Sequence, residues 1–411
     1  MDFPEELSMG ERIRALRESR GMSRAVLAHQ CGRGPDWLKK IETGERELKQ
    51  HALLMALAVA LSVTDLSVIT GRDSDITATV PTGRLPHPGL PPIWDAVMSR
   101  PLVVSPPATP PNPAQLQGRV DQSWELWHHS ENNRTEVGAL LPDLIRDAET
   151  AVRLLDGNER RAALVALSDV YRLVGQATAY IAPPELAWVV ADRSLTAAQD
   201  ADDPAAIAAA AWNMGNILRE TAHPEEALRV VLDASDLIRP HLENSPDDWR
   251  GIYGALQLHA AVTHARDGAE GDAWRHWEKG NQVAKSLPVS YVHSSTVFGR
   301  ANVDFHGVSV HTDLMKAQAA LGLADQIDPE VMPSVERKAR LWVEVARGHL
   351  QRGDRTAALM VMQIAYDTGR ETVRFTPSAR AVAADLWRKA PRALRPQAAV
   401  LAEKVGVNVA S

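Results

Sequence analysis

The chain has a single cysteine, Cys31, so no internal disulfide framework can brace it. It lacks any apolar run near the ~18 residues that a membrane span needs. Its first residues, Met1-Asp2-Phe3-Pro4-Glu5-Glu6, are acidic where a secretion signal would be basic and then apolar. No glycine-rich phosphate cradle and no nucleophile elbow occur. The histidines, His128-His129 included, lack the spacing to cysteine or carboxylate that metal sites use. Aromatic residues make up only 5% of the chain, and eleven of them are tryptophan. The helical spacing of Trp124 with Trp127, and of Trp274 with Trp277, marks core rather than a ligand cage. These absences lead us to expect a cytoplasmic protein without enzymatic motif, cofactor, metal or membrane contact.

What is present begins with charge. The net charge is −7, which by itself argues against a nucleic-acid partner. The distribution argues the other way, because residues 8–49 carry ten basic and six acidic side chains. A basic end on an acidic body suits a protein that meets DNA through one end only. With 411 residues the chain has room for two or three domains.

Residues 9–44 read as a helix-turn-helix unit. An apolar-periodic segment with Ile13 and Leu16 is followed by Gly21, and Ser23-Arg24-Ala25-Val26-Leu27-Ala28 opens a second helix. Gly32-Arg33-Gly34-Pro35 is a turn, and a third helix ends at Ile41-Glu42-Thr43-Gly44. Such a small unit presents one helix to the major groove. A helix over 51–61 packs back on it, and Thr64-Asp65 offers a cap for a shorter one. The first domain is thus expected over residues 1–73.

Residues 74–114 are expected to form a linker. Eleven of the 26 prolines fall within 81–113, and proline lacks the amide donor of helix and central strand. Trp94 and the Pro101-Leu102-Val103-Val104 patch mark places where this stretch sticks to a domain.

From 115 to 411 the pattern is helical and repetitive. Gly215, Leu218, Ala227, Val231 and Ala234 sit at tetratricopeptide spacings, with Pro240 near the closing position. Gly268, Ala273 and Trp277 begin a second copy, and Trp342, Gly353, Ala358, Met362 and Ala365 a third. Ala317, Leu321, Ala324 and Pro329 give half a copy, and Tyr171, Gly175 and Ala187 a looser one. The recurring alanines at 187, 227, 273, 317 and 358 are 40 to 46 residues apart, longer than the standard of about 34. Small residues at these positions let paired helices approach closely.

On Ile13-Arg14-x-Leu16-Arg17, Gly21-Met22-Ser23, Leu27-Ala28 and Ile41-Glu42-x-Gly44, residues 9–70 resemble the Cro/cI-like, or XRE, DNA-binding domains. The remainder is similar to the tetratricopeptide half of actinobacterial XRE regulators. That similarity rests on Glu136-Val137-Gly138-x-Leu140-Leu141-Pro142 and Leu186-Ala187-Trp188-x-x-x-Asp192-Arg193. The two-part layout is more distantly similar to peptide-pheromone receptors. The resemblance implies an all-α fold, with a lambda-repressor-like helix-turn-helix domain followed by a tetratricopeptide-like α-solenoid.

It also implies site residues. Ser23 caps the second helix and Arg24 contacts phosphate, which gives affinity and register. The third helix exposes Asp36, Trp37, Lys39 and Lys40, and the two lysines reach guanine edges or phosphates. Asp36 either accepts from a cytosine amino group or caps the helix; Trp37 is either a thymine-methyl contact or core. Arg17 is implied to pair with Glu42 and to face phosphate, against the alternative of two solvated charges. Arg33 and Arg46 complete the DNA-binding set. Gly34-Pro35-Asp36 departs from the Ser or Gln that usually opens this helix. Cys31 fills a small buried site, or senses redox state.

Counting along the repeats places Asp169, Arg172, Trp212, Asn216, Arg219, Arg266, Arg340 and Arg347 on a concave face. An asparagine there can give a donor and an acceptor to a peptide backbone, and arginines can hold a carboxylate or phosphate. Arg172, Trp212, Asn216, Arg219, Arg266 and Arg347 are the candidate ligand set; the alternative is ordinary solvated or packing residues. The expected function is a homodimeric, sequence-specific transcriptional regulator of operator DNA, controlled by a short peptide or small metabolite. The alternative is an interaction scaffold whose repeats capture a partner protein, with weak or accessory DNA binding.

Overall fold

The computed structural model describes residues 7–46, 48, 51–61, 63, 67–70, 84–99, 110–407 and 409. Thr64, Asp65, the boundary near 73 and the 101–104 patch lie outside them. The described residues form helices and no strand.

Five helices build the first domain: α1 (Met9–Ser19), α2 (Arg24–Gln30), α3 (Pro35–Glu42), α4 (His51–Ala60) and α5 (Ser67–Thr70). Ser8 and Glu11 form a reciprocal capping box that starts α1. Ile13, Leu16, Leu27, Leu38, Ile41, Leu57 and Ile69 bury one core from all five helices. Gly10 is there for space: a Cβ on it would stand 2.2 Å from the Ile41 carbonyl oxygen, so only glycine lets α1 cross α3 this closely.

Inside the proline-rich stretch, α6 (Leu90–Met98) is a helix. Its prolines, Pro91 and Pro92, fall in the first turn, where no amide donor is needed. Ile93 and Val97 are buried against α8, and Trp94 packs on the same cluster.

The second part begins with α7 (Pro113–His129) and α8 (Asn133–Leu154). Five antiparallel helix pairs follow: α9 (Gly157–Thr178) with α10 (Pro184–Asp200), α11 (Pro204–Glu220) with α12 (Pro224–Ile238), α13 (Asp247–Arg266) with α14 (Glu270–Ser286), α15 (Arg300–Asp313) with α16 (Ala317–Ala324), and α17 (Val335–Gln351) with α18 (Arg355–Thr368). The chain ends through α19 (Arg370–Phe375), α20 (Pro377–Lys389) and α21 (Arg395–Lys404). The recurring alanines fall one to each second helix, and Ala227, Ala273 and Ala358 are completely buried. Each pair also turns through one left-handed residue: Tyr180, Ala222, Gly268, Met315 and Gly353. That shared turn stops the first helix and reverses the chain. Only two of the five are glycine, so the repeat is hidden from a search for glycine alone.

The first helices of successive pairs touch one another and form an inner layer. The array then closes on itself, because α7 meets α17 and α8 meets α19. At the closure the Trp127 indole N–H donates to Glu336 at 3.3 Å. Glu371 accepts the backbone amides of Arg134 and Thr135 at 2.7 and 3.0 Å, and it faces His87 at 3.3 Å. Arg134 lies over both Trp127 and Phe375, at 5.3 and 5.5 Å from their ring centres.

Candidate nucleic-acid interface

Three charged side chains tie the helix-turn-helix together. Arg17 on α1 donates from Nε to Glu42 Oε1 at 2.5 Å and from Nη2 to Oε2 at 3.1 Å. Its third arm, Nη1, donates to the Met22 carbonyl at 2.9 Å. Both partners are buried, with side chains 7% and 1% exposed. The Glu42 bonds hold the Arg17 guanidinium firmly protonated against the opposing effect of burial. Arg24 joins from α2, donating to Glu42 Oε2 at 2.7 Å. Glu42 therefore gathers α1, α2 and α3 on one carboxylate, and it fixes Arg24 at the start of α2 while leaving that guanidinium partly exposed.

Ser23 uses its hydroxyl oxygen to accept the Val26 amide, capping α2. On α3, Asp36, Lys39 and Lys40 are exposed side by side with Arg33 and Arg46 near its two ends. Asp36 is not the cap: Gly34 occupies that position, without a side-chain bond, and Asp36 stands free in the first turn, where a helix dipole favours a carboxylate. Trp37 is half-buried and packs on the domain core. Burial pushes the Cys31 thiol up to about 12, which leaves it without thiolate character. Together α2 and α3 offer a mostly basic edge on a rigid frame, the geometry that a major groove and its flanking phosphates require.

The domain also touches the repeats. The turn after α13 lies on the start of α2: a Cβ on Gly268 would be 3.4 Å from the Gly21 carbonyl oxygen and 3.4 Å from the Ser23 amide nitrogen. Met315, in the next turn along, packs on the helix-turn-helix core. His29, near the end of α2, is held neutral down to about pH 4, first by burial and then by Arg347; Asp313, Asp385 and Lys389 also face it. All four charged neighbours belong to the second part of the chain, Arg347 and Asp313 to the helix pairs and Asp385 and Lys389 to α20, so it is this contact that buries the imidazole. Sequence periodicity has no means of marking such a contact.

On the inner layer, Arg219 donates to Asn216 Oδ1 at 2.6 Å, to Thr263 Oγ1 at 3.3 Å and to the His259 carbonyl at 3.4 Å. Arg347 bridges Glu344 at 2.6 Å and Asp313 at 2.7 Å, and Arg266 reaches the same aspartate at 3.4 Å. Arg172 stands apart, against Asp169 and Ser295 and over the Trp124 ring. Trp212 packs into the apolar cluster of α11 to α14 instead of joining the polar network. Sequence reasoning missed Tyr180, His306, Glu336, Arg337 and Glu344. The run Glu336, Arg340, Glu344, Arg347 at steps of three and four was a readable signal of one polar helix face.

Residues 8–67 match a family model described as a helix-turn-helix domain. No curated protein matches the chain. Among the described residues no helix is long and apolar enough to cross a membrane, and no group of three or more metal-ligating side chains gathers.

Proposed function

We propose that this protein is a cytoplasmic transcriptional regulator, not an enzyme, that binds operator DNA as a homodimer through α2 and α3. In this reading Lys39 and Lys40 reach bases or phosphates, Asp36 discriminates at a cytosine, and Arg24, Arg33 and Arg46 meet phosphates. The observation that carries the reading is the exposed edge of α3, held at fixed orientation by the Arg17–Glu42–Arg24 bridge. One short recognition helix reads few bases, so a two-fold pair of half-sites is expected.

The second part, a tetratricopeptide-like array in this reading, supplies control. The α13–α14 turn lies against the backbone of residues 21–23, beside the place where a duplex phosphate would approach the amino end of α2. Docked, the domain is hindered from DNA; a signal received by the array shifts the balance toward release.

The test is selection of bound fragments from a genomic library by the purified full chain. Enrichment of one short inverted repeat supports the reading. Lys39→Ala with Lys40→Ala should then lower affinity for that repeat at least ~tenfold, the scale of one lost specific contact. Unchanged affinity in the double variant rejects the assignment of α3. Recovery of unspecific DNA alone, together with capture of a defined partner protein, supports a scaffold instead.

A further inference from the structure

Outside residues 8–49 the chain is acidic in balance, yet one short segment runs against it. Residues 388–395 hold Arg388, Lys389, Arg392 and Arg395 and no carboxylate. The segment leaves the end of α20, bends at Pro391 into a short 3-10 turn over Arg392–Leu394, and enters α21 at Arg395. All four basic side chains are exposed. Lys389 pairs with Asp385 on its own helix, which Arg355 also approaches at 3.9 Å. Arg388, Arg392 and Arg395 have no hydrogen bond or ion pair among the described residues. Other exposed arginines, such as Arg119, Arg146 and Arg239, are matched by an aspartate. At no more than about 3.5 Å per residue the four cations stay within about 25 Å, a length that meets several successive phosphates of one strand.

The fold sets this segment against the helix-turn-helix. A Cβ on Gly32 would stand 3.8 Å from the Lys389 ammonium. Gly32 opens the turn between α2 and α3, and Arg33, exposed, follows it. The basic turn of the first domain and the basic end of α20 are thus neighbours across the domain contact. Like charges gathered in this way repel one another, and a polyanion relieves the repulsion. The same contact lays the α13–α14 turn against residues 21–23, at the other end of α2. Docking therefore crowds the amino end of α2 and lets its carboxyl end run into an exposed basic surface of the second part. Asp36, Lys39 and Lys40 on α3 stay exposed in the same arrangement.

We propose that Arg388, Arg392 and Arg395, with Lys389 at the contact, form a second DNA surface, one that meets duplex phosphates and reads no sequence. The inference rests on the DNA-binding reading above and extends its footprint beyond the helix-turn-helix. Guanidiniums hold phosphate oxygens in two parallel hydrogen bonds, and each phosphate they neutralise releases counterions. Such contacts are independent of base sequence, so they supply affinity and position without specificity. In the docked state, where the amino end of α2 is hindered, this surface keeps the protein on the duplex. The acidic remainder of the body turns the duplex toward this end of the molecule.

The experiment is fluorescence anisotropy of the full chain on a labelled duplex of about 20 base pairs of arbitrary sequence, between about 50 and 200 mM salt. Arg388→Gln with Arg392→Gln and Arg395→Gln should lower affinity ~tenfold or more at the low-salt end. The slope of log affinity against log salt should become shallower by about 2–3, since each phosphate contact contributes about 0.9. The melting temperature should stay unchanged, because the three side chains are exposed. The comparison variant is Arg119→Gln with Arg146→Gln and Arg239→Gln, which removes equal charge from exposed arginines already paired with aspartates. Its slope should stay that of the wild type. An unchanged slope in the first variant, or an equal change in both, overturns the surface. Loss of binding to vesicles of phosphatidylglycerol and phosphatidylcholine in the first variant, with duplex binding intact, assigns the segment to an anionic membrane and also overturns it. Specificity tells the two DNA surfaces apart. The 388–395 variant should weaken the selected repeat and an unrelated duplex alike, whereas Lys39→Ala with Lys40→Ala should narrow the preference between them. Failure of the slope test leaves the assignment of α3 standing, and failure of the DNA selection leaves this surface to be decided by the slope on unrelated duplex.

Discussion

Glu42→Gln is the sharpest test of how the first domain holds its shape. The carboxylate accepts from Arg17 Nε and Nη2 and from Arg24 Nε, and its side chain is 1% exposed. Glutamine keeps the volume but removes the charge and turns one acceptor into a donor that faces a guanidinium. Arg17, 7% exposed, is then a buried cation that loses its buried counter-charge and keeps the Met22 carbonyl and the half-exposed Glu18 carboxylate at 3.1 Å. Breaking one side of a buried ion pair costs about 3–5 kcal/mol. A domain of this size is stable by roughly 3–9 kcal/mol, at about 0.05–0.15 kcal/mol per residue. The substitution should therefore bring the helix-turn-helix close to unfolding while the repeats stay folded. Amide hydrogen exchange on the full chain reads this directly: core amides of α1 to α3 should exchange about a hundredfold to a few thousandfold faster, and those of α11 to α17 at their original rate. Arg17→Met with Glu42→Leu should restore much of the protection, because an apolar pair replaces the ion pair without leaving a lone charge. Unchanged protection over α1 to α3 in Glu42→Gln would refute the claim that this bridge organises the domain.

Three further outcomes follow from the same geometry. Gly10→Ala forces a methyl to within 2.2 Å of the Ile41 carbonyl and should destabilise the first domain by at least about 1–3 kcal/mol, seen as loss of the same amide protection. Glu371→Ala removes the acceptor of the Arg134 and Thr135 amides and should lower the melting temperature of the repeats by an amount equivalent to about 1–3 kcal/mol, with a larger radius in solution if closure opens. His29 titrates near 6.5 when free and near 4 when docked, so its contribution to docking is complete above pH 6.5 and lost as the pH falls toward 4. At about pH 5.5 the free form is favoured roughly tenfold through this group, and DNA affinity should rise accordingly. Asp267, raised to about 6 chiefly by burial, can oppose this, so the quantity to compare is wild type against His29→Gln. Identical pH profiles in the two proteins would remove His29 from the contact.

The first domain was legible in the sequence because its constraints are local. Ser23 and Pro35 mark helix starts within a few residues of themselves, and Ile13, Leu16, Leu27 and Ile41 repeat at helical spacing. The pairing of Arg17 with Glu42 was readable only through resemblance, since 25 residues separate them and no periodicity connects them. Arg24 as a third member, and Gly10 as a spacer, come from how three helices cross, which no single helix encodes. Asp36 shows the limit of propensity reasoning: an aspartate near a helix start invites a capping assignment, yet the backbone turns one residue before Pro35, and the cap falls on Gly34.

The repeats were legible at their second helices and obscure at their turns. Alanines at 187, 227, 273, 317 and 358 mark where a second helix lies against its partner, and packing permits few alternatives there. The turns tolerate Tyr180, Ala222 and Met315 in a left-handed conformation that glycine adopts more readily. Left-handed non-glycine residues are uncommon and persist where the surroundings fix them. Two of the three have work besides turning the chain: Met315 packs on the helix-turn-helix core, and Tyr180 lies under Arg340, 5.8 Å from its guanidinium. The side chains that weaken the sequence signal are thus the ones that join the array to its neighbours. Met315→Gly separates these roles: the turn conformation would be easier, so the repeats should keep or gain stability, while docking of the first domain loses its apolar contact. Faster exchange of the α2 amides at an unchanged melting temperature of the repeats is the expected result. Loss of stability in the repeats instead would show that Met315 serves the array alone.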